Sequence, residues 1–148
     1  MTKVQTEINI NAPVDRVYEF YTNPDNIKEV WPVVKESGST TGANNEQGSE
    51  MRVADEQIGI RKEMRLQVAE KEQNRRLVTR QTDGPFKRWE SVQEFQGDNN
   101  RTHVSHIIDF ELPTGGKVAD MFTCGRADDR IRSGMEQAAQ TIKRKLEG

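Results

Sequence analysis

The chain opens on strict alternation. Between Thr2 and Asn11, Val4, Ile8 and Ile10 share one side with Thr6, while Lys3, Gln5, Glu7 and Asn9 take the other. That period of two predicts a strand with one buried face. At Ala12-Pro13-Val14-Asp15 the period changes. Pro13 suits the first helical position, where a missing N–H is no loss, and Asp15 falls where the helix dipole favours an anion. Val14, Val17, Tyr18 and Tyr21 follow at helical spacing with Phe20 beside them. Asn23-Pro24-Asp25 restarts the pattern, with Asn23 as N-cap, Pro24 behind it, then Ile27 and Val30. Two short tandem helices result, the second ended by Trp31-Pro32.

From Val33 to Leu112 the pattern is of strands and turns. A first strand begins at Val33-Val34, and a polar loop is expected over Gly38 to Gly48. Met51 and Val53 alternate in the next strand, and Met64, Leu66 and Val68 in another. Asn74 interrupts before Arg76 to Thr82, and Asp83-Gly84-Pro85 turns. Phe86 to Gln96 and Arg101 to Leu112 form a last hairpin around Gly97-Asp98-Asn99-Asn100. Strands at this spacing, joined by hairpin turns, predict an antiparallel sheet. After Pro113-Thr114-Gly115-Gly116 the pattern is helical, from about Lys117. Ala127, Ile131, Met135, Ala138, Ile142 and Leu146 make one apolar stripe, with bends expected at Gly125 and Gly134. A long amphipathic helix must bury its stripe against the apolar face of the sheet. The predicted fold is α+β: a curved antiparallel sheet of about seven strands wrapped around a long C-terminal helix, with two short helices after the first strand. No linker or repeat divides residues 1–148, so one domain is expected.

Composition narrows the function classes. The 148 residues carry 22 basic and 24 acidic side chains, a formal charge of −2. That balance argues against a dedicated nucleic-acid binder. No run approaches the roughly 18–20 apolar residues of a membrane span, and the first residues lack a signal peptide's apolar stretch. A cytoplasmic location without stable membrane insertion is expected. The single cysteine, Cys124, allows neither an internal disulfide nor a cysteine-cluster zinc site.

The last hairpin suggests where chemistry lies. A loop at Gly97–Asn100 pairs Phe95 with Thr102, Gln93 with Val104, Ser91 with His106 and Trp89 with Ile108. One face then holds Trp89, Ser91, Gln93, Phe95, Thr102, Val104, His106, Ile108 and Phe110. The other is mostly charged, so the first faces inward. Ser91, Gln93 and His106 stand together on that apolar face. Two readings are open: they satisfy one another as buried polar groups must, or they are the polar handles of an apolar pocket. Met51, Val53, Met64, Leu66, Trp89 and Ile108 would line such a pocket from strands, and Met121, Phe122 and Met135 from the helix. Tyr18 and Tyr21 are expected in the core, with a place at a pocket mouth as the alternative.

Other signals are weaker. His103 and His106, three apart on a strand, point to opposite faces and cannot share a metal ion; no metal or other cofactor is expected. Asp128-Asp129 with Arg126, Arg130 and Arg132 reads as a solvated helix face with i, i+4 pairs. Thr114-Gly115-Gly116-Lys117 lacks the spacing of a phosphate loop.

The sequence resembles the START-like (SRPBCC) superfamily, the helix-grip fold. The resemblance runs through Ile10-Asn11-Ala12-Pro13-Val14-Asp15-Arg16-Val17-Tyr18-Glu19-Phe20, Asn23-Pro24-Asp25 and Trp31-Pro32. It continues in Asp83-Gly84-Pro85-Phe86, Arg101-Thr102-His103-Val104 and Glu111-Leu112-Pro113. From Gly97 into the terminal helix the chain is most similar to the polyketide cyclase/dehydrase branch. The resemblance implies a cavity between sheet and terminal helix. Fold alone does not choose a role among superfamily members. The expected function is binding, with transport or sequestration, of a small hydrophobic molecule such as a lipid, isoprenoid, quinone or polyketide-like aromatic, by a monomer or weak homodimer. The alternative is a cyclase- or dehydratase-like enzyme, with His106 as general acid/base and Gln93 orienting a carbonyl. A partner-binding module would need an exposed apolar patch, and the sequence shows none.

Overall fold

A computed structural model describes residues 2–31, 34–39, 48–57, 60–112 and 127–148. Strand β1 (Thr2–Ile10) leads into helix α1 (Val14–Thr22). Pro13 stands one position earlier than the sequence suggests, as the extended N-cap, and its carbonyl accepts the first helical bond from Val17 N–H at 3.1 Å. A 3-10 turn (Pro24–Asn26) follows, and its cap is the expected one: the Asn23 side chain accepts from Asp25 N–H at 3.0 Å, with Pro24 at N1. Helix α2 (Ile27–Val30) ends at Trp31. Six further strands follow: β2 (Val34–Ser39), β3 (Glu50–Gln57), β4 (Ile60–Glu72), β5 (Arg76–Asp83), β6 (Arg88–Gly97) and β7 (Thr102–Glu111). Asn74 turns the chain between β4 and β5 at φ 63°, a conformation its short polar side chain tolerates. Helix α3 (Ala127–Glu147) is the last element.

The sheet has seven strands in the order β1-β7-β6-β5-β4-β3-β2, every pair antiparallel. The long β4 pairs with β3 through its first part and with β5 through its second, with register shifts at Arg65/Leu66 and Val68/Glu70. Such bulges bend a strand and raise its twist, and the sheet curls into a half-barrel. This is the helix-grip architecture.

The last hairpin departs from expectation by two residues. Gly97 faces Thr102, Phe95 faces Val104, Gln93 faces His106, Ser91 faces Ile108 and Trp89 faces Phe110. The loop is Asp98–Arg101 because the Asp98 carboxylate closes it, accepting from Asn100 N–H at 2.8 Å and Arg101 N–H at 3.1 Å. Gly97 is thereby drawn into the ladder, where a Cβ would meet the Arg101 carbonyl oxygen at 2.4 Å. A slide of two preserves the faces, so Thr102, Val104, His106, Ile108 and Phe110 are all buried. The next strand boundary also moves: Phe86 precedes β6 rather than opening it.

Helix α3 lays its stripe into the concave face. Met135 packs with Val4, Ile108 and Phe110. Ala138 and Ile142 pack with Ile10, Val17, Tyr18, Val30, Phe95 and Val104. The helix runs continuously through Gly134. Lys143 Nζ donates to the Asn9 carbonyl at 2.7 Å and Glu147 accepts from Asn11 N–H at 2.8 Å, tying α3 to the β1 edge. A third apolar cluster, Met51, Leu66, Val68 and Leu77, lies across β3–β5.

Candidate ligand cavity

Between that third cluster and α3 the curled sheet leaves a cavity of about 740 Å³, within the range of small-molecule sites. The alternation that faces Met51, Met64 and Leu66 inward brings them to its wall with Val53. The inward row of β6 adds Trp89, Ser91 and Gln93; β7 adds His106 and Ile108; α3 adds Met135. Ten of the twelve residues singled out in the sequence therefore line one space. The other two, Met121 and Phe122, lie outside the described residues, as do Cys124, Gly125, the segment 113–117 and most of the polar loop before β3.

Ser91 and His106 form the polar centre. Ser91 Oγ and His106 Nε2 are 2.7 Å apart, both residues buried. They meet diagonally, since Gln93 occupies the position opposite His106. Burial pushes the His106 imidazole down to a pKa of about 4, because its charged form has lost water. The ring is neutral at physiological pH. Either Ser91 donates to Nε2, or Nε2–H donates to Ser91. The pair can thus offer a further donor or a further acceptor to a third group. His103 points to the convex face, 2.8 Å from Asn9 Oδ1 and 3.3 Å from Glu7 Oε1. The two histidines stand on opposite sides of the sheet.

Trp31 reads in sequence only as a helix terminator, yet its indole reaches the interior. It lies edge-on to His106 with ring centroids 6.5 Å apart and packs against Gly134, where a Cβ would come within 2.8 Å of the ring. Ile27, Val30 and Tyr21 complete this side of the wall. Phe86 enters from the β5–β6 connection, held by Gln81, whose amide donates to the Phe86 carbonyl at 2.7 Å. Tyr18 belongs to the core beside Phe95 at 5.1 Å, and Tyr21 meets the same ring at 5.4 Å. Burial raises the pKa of both phenols. Asp129 and Arg130, expected on a solvated face, reach the cavity wall at the start of α3, and Lys62 reaches it from β4. None of these has a local signal beyond parity for Lys62, which shares the inward side with Met64. Among the described residues no group of three or more metal-ligating side chains converges, and no helix is long and apolar enough to cross a membrane.

The family model described as polyketide cyclase/dehydrase and lipid transport matches residues 1–144. No match is found among curated proteins. Among solved structures, TTHA0849 from Thermus thermophilus superposes with a TM-score of 0.77 at 18% identity, covering 98% of this chain and 97% of that one. Major latex-like protein 151 from Panax ginseng gives 0.77 at 12% identity, with 99% and 98% covered. A START superfamily protein from Mycobacterium smegmatis gives 0.71 at 15% identity, with 98% and 97% covered. At these identities the structures share the fold. Helix grip, cavity and family match agree: the chain belongs to the polyketide cyclase/dehydrase and lipid transport family of the START-like superfamily.

Proposed function

We propose that this protein binds a small hydrophobic molecule in the cavity between sheet and α3, and transports or sequesters it. The observation that carries the reading is one apolar space of about 740 Å³ holding a buried, mutually hydrogen-bonded Ser91–His106 pair. The apolar body of the ligand would lie against Met51, Met64, Leu66 and Trp89, and a polar group would meet the pair. Lipid, isoprenoid, quinone and polyketide-like aromatic skeletons all suit such a wall. Methionines adapt to irregular shapes, which favours a carrier over a tight steric mould. On this reading the protein works in the cytoplasm as a monomer or weak homodimer.

The enzymatic alternative makes His106 a general acid/base. A catalytic proton carrier works best with a pKa near the operating pH, and burial holds His106 at about 4. That favours a hydrogen-bonding role over proton transfer. Native mass spectrometry of the protein purified without detergent tests the reading. A bound small hydrophobic mass, lost on organic extraction, supports it. A ligand-free protein that also takes up none of a panel of lipids, quinones and aromatics would overturn it.

A further inference from the structure

The floor of the cavity carries more polar groups than the Ser91–His106 pair consumes. Thr6 of β1 lies opposite His106, His106 opposite Gln93, and Thr79 of β5 opposite Ser91. All five line the cavity. They form a belt crossing four strands on the cavity floor. Thr79 is only 7% exposed. Among the described residues, the Thr6 and Thr79 hydroxyls and the Gln93 amide make no side-chain hydrogen bond, and Ser91 and His106 bond only each other. These groups are turned to the cavity rather than sealed in the core, so they are available to a ligand that brings several polar atoms.

Charge is placed elsewhere. Among the described residues, β1, β5, β6 and β7 present no ionised side chain to the cavity. The nearest cation on the sheet's inner face, Lys62, is on β4, three strands from His106, or roughly 14 Å at the usual strand spacing. Lys62 and Arg130 each already have an interaction partner. A carboxylate set on the belt would find no cation on those four strands, and apolar surroundings penalise an unpaired buried charge heavily.

Resting on the reading that the cavity takes a small hydrophobic molecule, we infer that this ligand is uncharged and carries at least two hydroxyl or carbonyl oxygens along one edge. One is met by the Ser91–His106 pair and the second by Thr79 on the next strand, with Gln93 beside them. The belt excludes an acidic group from the floor and leaves hydrocarbon ligands at a disadvantage.

The test is displacement of the neutral fluorophore N-phenyl-1-naphthylamine by naphthalene, 1-naphthol, 1,3-dihydroxynaphthalene and 1-naphthoate. Each added oxygen should tighten binding about 2–10-fold, the worth of one hydrogen bond. 1-Naphthoate should bind on the order of tenfold more weakly than 1-naphthol. Thr79→Val should remove the advantage of the diol over 1-naphthol, and Thr79→Ser, which keeps the hydroxyl, should retain it. Naphthalene binding as tightly as the diol, naphthoate binding no more weakly than 1-naphthol, or a diol advantage that survives Thr79→Val overturns the inference. Uptake of the fluorophore needs no oxygen. If it binds while the series is flat, only the ligand class is wrong; if it is not taken up, the binding reading itself falls.

Discussion

The indole of Trp31 occupies the space where a side chain on Gly134 would begin, with Cζ3 2.8 Å from the position of a Cβ there. The glycine therefore serves packing, at a cost in helix propensity of about 1 kcal/mol against alanine. Gly134→Ala should recover that propensity and lose more to overpacking, about 1–3 kcal/mol. A lowered melting temperature with altered Trp31 emission is expected. A raised melting temperature would show that the indole is not seated on the helix.

Ile142 is 3% exposed between α3 and the sheet. Ile142→Ala should cost about 2–5 kcal/mol by transfer and cavity terms. Ile142→Asp, which buries a charge, should prevent folding. Urea denaturation of the alanine variant checks the first; unchanged stability would contradict the packing of the stripe.

His106 makes stability pH-dependent in a defined direction. Its folded pKa is depressed from 6.5 to about 4, so between those values the unfolded chain binds a proton that the folded chain refuses. Stability is full above pH 6.5 and falls as pH drops toward 4, by roughly 3 kcal/mol in total from this residue. Urea midpoints at pH 7, 6, 5 and 4 should show the fall, and His106→Gln should remove this residue's share. An identical pH profile in the variant, or an NMR titration of His106 near 6.5, would mean that the ring is not buried.

Both tryptophans should report ligand. Trp89 lines the cavity, as its parity on β6 requires, and Trp31 lines it too and cannot serve as a silent control. Quenching by a bound quinone should therefore persist in part in Trp89→Phe and in part in Trp31→Phe. A response confined to one tryptophan would remove the other from the site.

How much of this is legible in sequence follows from what each feature depends on. The inward row of β6 and β7 depends only on parity, and it survives a two-residue error in register. That error arises because Gly97–Asn100 and Asp98–Arg101 are equally good four-residue loops until the Asp98 carboxylate is seen to bond two backbone N–H groups. The α3 stripe and the Asn23 cap are local patterns, and both are readable. Trp31 is not: its neighbours predict only a helix end, and its contacts with Gly134 and His106 cross more than 70 positions of chain. Thr79 escapes notice because a lone threonine on a strand carries no signal until Ser91 is paired beside it.

The most direct test of the cavity as a binding site is NMR of protein labelled at its methionine methyl groups, titrated with N-phenyl-1-naphthylamine. Met51, Met64 and Met135 line the cavity from β3, β4 and α3. The expected result is a saturable shift of all three methyl resonances, with ligand-to-methyl nuclear Overhauser effects. Saturation of the fluorophore with none of these three resonances moving would contradict the account.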